Sequence, residues 1–222
     1  MKGDTNLSQK TSGLISFILN FLIVLCIFFT LVILIIYALI NHYPIVIILK
    51  YFTNISNLLL FLASACLLPC ELMRARGKDA VPSAALTVFK LAGTAAVSLT
   101  LTVVVCYLAP LYGTESQLEG SGIVLHLICP VFAIVSFVFF DGGETLSKKQ
   151  SRYALIPTLI YLALYFLLTM FLHMWDDFYS FYLYGLWPVF LIILILLSFL
   201  IVKVLREQHN RHLLSLSDGK EL

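Results

Sequence analysis

The stretch KYFTNISNLL (50–59) sets Lys50, Thr53, Asn54 and Asn57 at helical spacing within an apolar run, and LHLICP (125–130) sets His126 in another. A hydroxyl and an imidazole are the partners of nucleophilic acyl chemistry. Threonine attacks a carbonyl only when a base takes its proton, and histidine can do this and then protonate the leaving alcohol. The oxyanion formed on the way needs preorganised donors, typically worth about 2.7–4 kcal/mol each. Asn57, on the face of Thr53, is the first candidate donor, followed by Asn54 and the Lys50 ammonium, because residues three and four apart share a helical face.

Other polar groups fall near the same end of the chain's apolar runs. His173, Trp175, Asp176 and Asp177 close the fifth run and are candidate accessory groups, either a solvated loop or a set that orients the base. Lys90 lies deeper, with no acidic partner inside any run, so it either snorkels to the surface or lines a cavity. Cys129, one turn from His126, reads as a small hydrophobe. No HExxH or CxxC spacing occurs, so neither a metal nor another cofactor is expected. Threonine and asparagine in lipid also serve as packing glue, at about 0.6 kcal/mol per interhelical bond.

The elements that must position these groups follow from composition. Of 222 residues, 61% are hydrophobic and 12% charged, with mean hydropathy +1.00. Soluble domains are far less apolar. A bilayer span needs about 20 apolar residues, and six runs qualify, at roughly 13–40, 45–69, 81–109, 122–140, 153–173 and 182–204. They lack the alternation of barrel strands, so the expectation is an all-α polytopic membrane protein forming a single transmembrane domain. The first run is too long for a secretory signal and reads as an uncleaved helix.

Twelve of the fourteen basic residues flank the runs on one side: Lys2, Lys10, Arg74, Arg76, Lys78, Lys148, Lys149, Arg152, Lys203, Arg206, Arg211 and Lys220. The positive-inside rule then places both termini in the cytoplasm, with 205–222 as a polar, frayed tail containing His209, His212 and Gly219. Short loops and this charge pattern fit a bacterial plasma membrane. The net charge of +2 gives no reason to expect nucleic acid. With a start near Ile45, Thr53 lies roughly 12 Å deep in the second helix and His126 roughly 6 Å deep in the fourth, close enough in depth for the two to meet.

YFTNISNLL (51–59), LHLICPVFAIVSFVFF (125–140) and HMWDDFYSF (173–181) resemble conserved blocks of small bacterial six-helix membrane proteins. These are distantly similar to the animal androgen-induced membrane proteins, which hydrolyse fatty acid esters of hydroxy fatty acids. The resemblance implies a threonine nucleophile at Thr53 and a histidine partner at His126. The chain departs from the animal pattern with Ser121 and Gly122 before the histidine and with Asp176, Asp177 and Phe178 after Trp175.

The leading expectation is an intramembrane Thr/His hydrolase or acyl transferase. Its partners would be membrane lipids and its substrate a lipid-like ester entering from the outer side, into a pocket of helices two, four and five. A small-solute transporter or binder would instead need a polar route continuing past Asn57 to the inner face. A non-catalytic assembly partner would need neither feature.

Overall fold

Among the described residues six helices are long and apolar enough to cross a membrane: α1 (Lys2–Ile40), α2 (Phe52–Ala75), α3 (Ala84–Tyr112), α4 (Ser121–Phe139), α5 (Lys148–Phe171) and α6 (Trp187–Asp218). The computed structural model describes residues 2–182 and 185–218, with side chains for 9–182 and 185–215, and no strand occurs among them. Gly219, Lys220 and the side chain of Lys2 lie outside that set. The helices alternate in direction, so the chain has a termini end and a far end, the latter carrying the segments 41–51, 113–120 and 172–186.

The bundle is organised around α3, whose residues Lys90 to Thr100 are buried without a break. A helix can be enclosed on every side only if its neighbours approach closely. Here Ala92, Gly93, Ala95 and Ala96 permit it, and a Cβ on Gly93 would lie 2.8 Å from the Leu60 Cα of α2. Packed around α3 are α2, α4, α5 and α6, while α1 lies against α2 and α4.

Several boundaries differ from those read in the sequence. The second run does not form one helix from Ile45. Pro44 starts a separate 3₁₀ turn, Ile45–Lys50, and Tyr51 is extended (φ −91°, ψ 131°) before α2 begins. Lys50 therefore does not share a helical face with Thr53, Asn54 and Asn57. At the other end α2 runs on through Pro69 to Ala75, which brings Glu71 and Arg74 into it. A capping box between Ser147 and Gln150 starts α5 five residues early. The stretch read as a frayed tail continues as helix to Asp218, with His209 fully buried and its Nδ1 2.9 Å from the Phe137 carbonyl.

Lys90 neither snorkels nor lacks an acidic partner. It is wholly buried, donating to Asn20 Oδ1 (2.6 Å) and Ser64 Oγ (2.8 Å), with Asp141 Oδ2 4.0 Å away. The other Asp141 oxygen accepts from Ser16 Oγ (2.6 Å), Asn20 Nδ2 (2.9 Å) and Ser136 Oγ. Beside this pair, Arg74 binds Glu71, whose second oxygen accepts the Gly142 N–H at 2.9 Å. Two cations and two carboxylates thus lie together, with Asn20 bridging Lys90 and Asp141 while Asp141 Oδ2 faces the ammonium without accepting a hydrogen bond. The network ties α1, α2, α3 and α4 together in the termini half.

Candidate functional site

Thr53 and His126 meet. Thr53 Oγ1 lies 3.3 Å from His126 Nε2, and His126 Nδ1 lies 2.7 Å from the carbonyl oxygen of Gln117. A carbonyl can only accept, so Nδ1 carries the proton and Nε2 presents its lone pair to the threonine hydroxyl. The imidazole is oriented by a backbone carbonyl from the short helical turn Thr114–Leu118 before α4, not by Asp176 or Asp177.

Local backbone chemistry explains why the pair is held there. Pro130 has no N–H to offer the His126 carbonyl, and the turn before it widens into a π-helical segment, Val124–Ile128. There the Cys129 N–H reaches back to Val124 instead of Leu125, which releases the Leu125 carbonyl from the helical ladder. Asn57 takes it up. Its Nδ2 donates to Leu125 O (3.1 Å) and to Thr53 O (2.8 Å), bridging the residue next to His126 and the backbone of Thr53 itself. Both amide hydrogens are thereby committed, so Asn57 is a clamp between α2 and α4 and not a free oxyanion donor. This corrects the role expected from its place on the stripe.

Asn54 and Lys50 also serve other ends. Asn54 Nδ2 donates to Ile48 O at 2.7 Å, fastening the 3₁₀ turn to α2 and leaving one amide hydrogen. The Lys50 ammonium stands 5.0 Å from the Phe178 ring centroid, 5.8 Å from that of Trp175 and 3.8 Å from Asp176. It is engaged with the 172–186 segment as a cation–π and ion-pair latch. Asp177 organises the same segment, accepting from Tyr165 Oη (2.5 Å), Phe181 N (3.1 Å) and Tyr182 N (2.6 Å). His173 is exposed with φ 51°. Lys90 belongs to the network at the termini end.

Thr53 stands on the wall of an apolar pocket with a void of about 430 Å³ including its open mouth. Its lining comes from α2 (Phe52, Thr53), α3 (among them Leu99 and Thr100), α5 (Tyr161, Tyr165), α6 (Leu194) and the 172–186 segment (Tyr179, Phe181). The expected helices two and five take part, but α3 and α6 complete the wall and α4 supplies only the histidine behind Thr53. Two further π-helical segments, Val104–Leu108 and Leu167–Phe171, widen α3 and α5 at this end.

Tyr179 was not singled out by residue type, although it lies in the HMWDDFYSF block. Its hydroxyl accepts the Phe52 N–H at 2.8 Å, capping the first turn of α2 beside Thr53, and it also meets Tyr161, which donates to Lys50 O at 2.9 Å. Burial pushes the Tyr179 hydroxyl up to about 12, so it stays a neutral O–H donor throughout the physiological range.

Below the pair, Ile23, Ile27, Leu60, Val97, Leu125, Cys129 and Ala133 form a fully buried apolar layer. It separates Asn57 from Ser64, the next polar side chain along this part of α2, by seven residues or about 10 Å of helix. Cys129 sits within this layer as a hydrophobe. Among the described residues no three His, Cys, Asp or Glu side chains converge as metal ligands. Comparison with protein-family models, curated proteins and solved structures finds no match to this chain.

Proposed function

We propose that this chain is an intramembrane hydrolase or acyl transferase that uses Thr53 as nucleophile and His126 as base on a lipid ester. The observation that carries the reading is the Thr53–His126 contact of 3.3 Å, with the histidine's tautomer set by Gln117 O at 2.7 Å, on the wall of an apolar pocket lined by aromatic side chains. The resemblance to the androgen-induced family assigns the same two residues.

In the proposed reaction Thr53 Oγ1 bonds to the acyl carbon as its proton passes to Nε2. The imidazolium, steadied by the Gln117 carbonyl, then protonates the departing alkoxide as the ester C–O bond breaks. This leaves an acyl-threonine. Water, or a second alcohol in a transferase, is deprotonated by Nε2 and releases the acyl group, and the proton returns to Thr53. Tyr179 O–H and the spare Asn54 amide hydrogen are the proposed oxyanion donors. The acyl chain would lie among Tyr161, Tyr165, Phe181 and Leu194.

The basic flanks of the helices support an orientation with both termini in the cytoplasm, which puts the site in the outer half of a plasma membrane of bacterial type. A transporter reading gains from the second polar cluster around Lys90. Against it, α2 offers only apolar side chains between Asn57 and Ser64, and the buried Thr94 and Ser98 hydroxyls of α3 that lie between Lys90 and Thr100 carry no charge.

The test is activity-based labelling of the purified protein with a fluorophosphonate. Wild type is expected to label, and Thr53→Ala and His126→Ala to lose labelling while keeping wild-type melting behaviour. Labelling that survives Thr53→Ala refutes the assignment.

A further inference from the structure

A second cavity opens at the termini end, between the first turns of α5 and the middle of α6. Its lining includes Lys148, Arg152, Lys203, Arg206 and Glu207 over a floor containing Leu155 and Val202, with a void of about 930 Å³ that is largely open. Arg206 is 8% exposed at the back of this groove and bonds Glu207 at 2.9 Å. Lys148, Arg152 and Lys203 are exposed, so three cations converge on the opening beyond the one that is paired.

The groove continues into apolar surface. Phe199 and Leu200, also in its lining, are 45% and 55% exposed on the side of α6 that faces away from the bundle. Tyr153, next to Arg152, is 55% exposed, an aromatic at the depth where headgroups meet hydrocarbon. A cationic recess at the polar–apolar boundary, with exposed apolar side chains leading from it, is complementary to a molecule that is anionic at one end and hydrocarbon at the other.

We infer that this groove is a binding site for an anionic phospholipid of the leaflet on the termini side, with the phosphodiester among Lys148, Arg152 and Lys203 and an acyl chain along Phe199 and Leu200. Basic flanks that merely set topology need no shared recess. Here residues from two helices face one shared opening. Basic pockets between membrane helices recognise anionic headgroups by this chemistry. The site is distant from Thr53 and does not depend on the hydrolase reading.

The experiment is native mass spectrometry of the full chain in detergent, offered equimolar phosphatidylglycerol and phosphatidylcholine. Wild type is expected to retain phosphatidylglycerol about tenfold or more in preference. Each cation contributes about fivefold, so Lys148→Gln/Arg152→Gln/Lys203→Gln is expected to weaken phosphatidylglycerol binding on the order of a hundredfold, and Arg152→Gln alone about fivefold. Arg76→Gln/Lys78→Gln, which removes two cations at the same end but outside the groove, should leave binding unchanged. Equal retention of the two lipids by wild type overturns the proposal, as does binding by the triple variant at the wild-type level or equal weakening by the control. Displacement of the lipid by millimolar glycerol phosphate would identify a soluble phosphate ester as the ligand and also overturn it.

Discussion

Replacing Lys90 by methionine removes a wholly buried ammonium and leaves its partners in place. Asn20 Oδ1 and Ser64 Oγ lose donors at 2.6 and 2.8 Å, and Asp141 loses the cation 4.0 Å away. Asp141 keeps its contacts from Ser16, Asn20 and Ser136, but these are neutral. At an effective dielectric of 20, two unit charges at 4 Å attract by about 4 kcal/mol. Breaking a buried pair by removing one member costs about 3–5 kcal/mol, which agrees. In a chain of this size each kcal/mol shifts melting by about 2–4 °C, so Lys90→Met is expected to melt roughly 10 °C lower. Asp141→Asn alone should be similarly costly, because it strands the ammonium. The double variant Lys90→Met/Asp141→Asn should melt well above the sum of the two losses. The assay is a fluorescence melt of detergent-purified, monodisperse protein. Additive losses, or a Lys90→Met melt within about 2 °C of wild type, would refute the view that this network braces the termini half.

Tyr179→Phe deletes the proposed oxyanion donor and should lower kcat on a lipid ester about 10²–10³-fold with KM little changed. Because the Tyr179 hydroxyl is pushed up to about 12, the wild-type to variant ratio should stay flat through the alkaline range and fall only as pH nears that value. Asn57→Ala keeps both reacting groups but removes the α2–α4 clamp, so fluorophosphonate labelling should slow at least tenfold at a melting temperature that falls only modestly. A melting loss with unchanged labelling would make Asn57 a purely structural residue. Gly93→Ala places a Cβ 2.8 Å from the Leu60 Cα and should destabilise by about 1–3 kcal/mol, read as a lower melting temperature with the labelling chemistry retained.

The six spans are legible because lipid demands long apolar runs whose backbones bond internally. Depth counting allowed Thr53 and His126 to meet without establishing it, because its start at Ile45 assumed one continuous helix where a 3₁₀ turn and the extended Tyr51 precede α2. Roles were harder to read than positions. Asn57 looks free on a helical wheel, and only the π turn that releases the Leu125 carbonyl reveals what its amide binds. Pro110 and Pro130, which remove a backbone donor, follow two of the three π turns, but a proline does not state which carbonyl it frees and the turn at Leu167–Phe171 has none. Lys90 seemed unpaired because Asp141 lies two residues beyond α4. The backbone there turns back into the protein, so that Asp141 is 1% exposed despite its place in a connecting segment. Glu71 escaped notice because Pro69 reads as a helix end, whereas α2 continues past it for another six residues.

The arrangement divides labour between two pairs of helices. Thr53 and His126 stand on α2 and α4, which are joined at the far end by Asn57 and at the termini end by the contact of Glu71 and Arg74 with Gly142 and Phe140. The pocket is walled mainly by α3 and α5, and these carry π-helical widening at its level. A widened turn weakens the backbone ladder locally and lets side chains shift without unwinding the helix. Under the proposed reading, an acyl chain would lie against the α3 and α5 walls while Asn57 holds α2 and α4 at the Thr53–His126 pair. The apolar layer of Ile23, Ile27, Leu60, Val97, Leu125, Cys129 and Ala133 lies between the two polar clusters on the α1, α2 and α4 side, so the charges around Lys90 make no hydrogen bond to the Thr53–His126 pair.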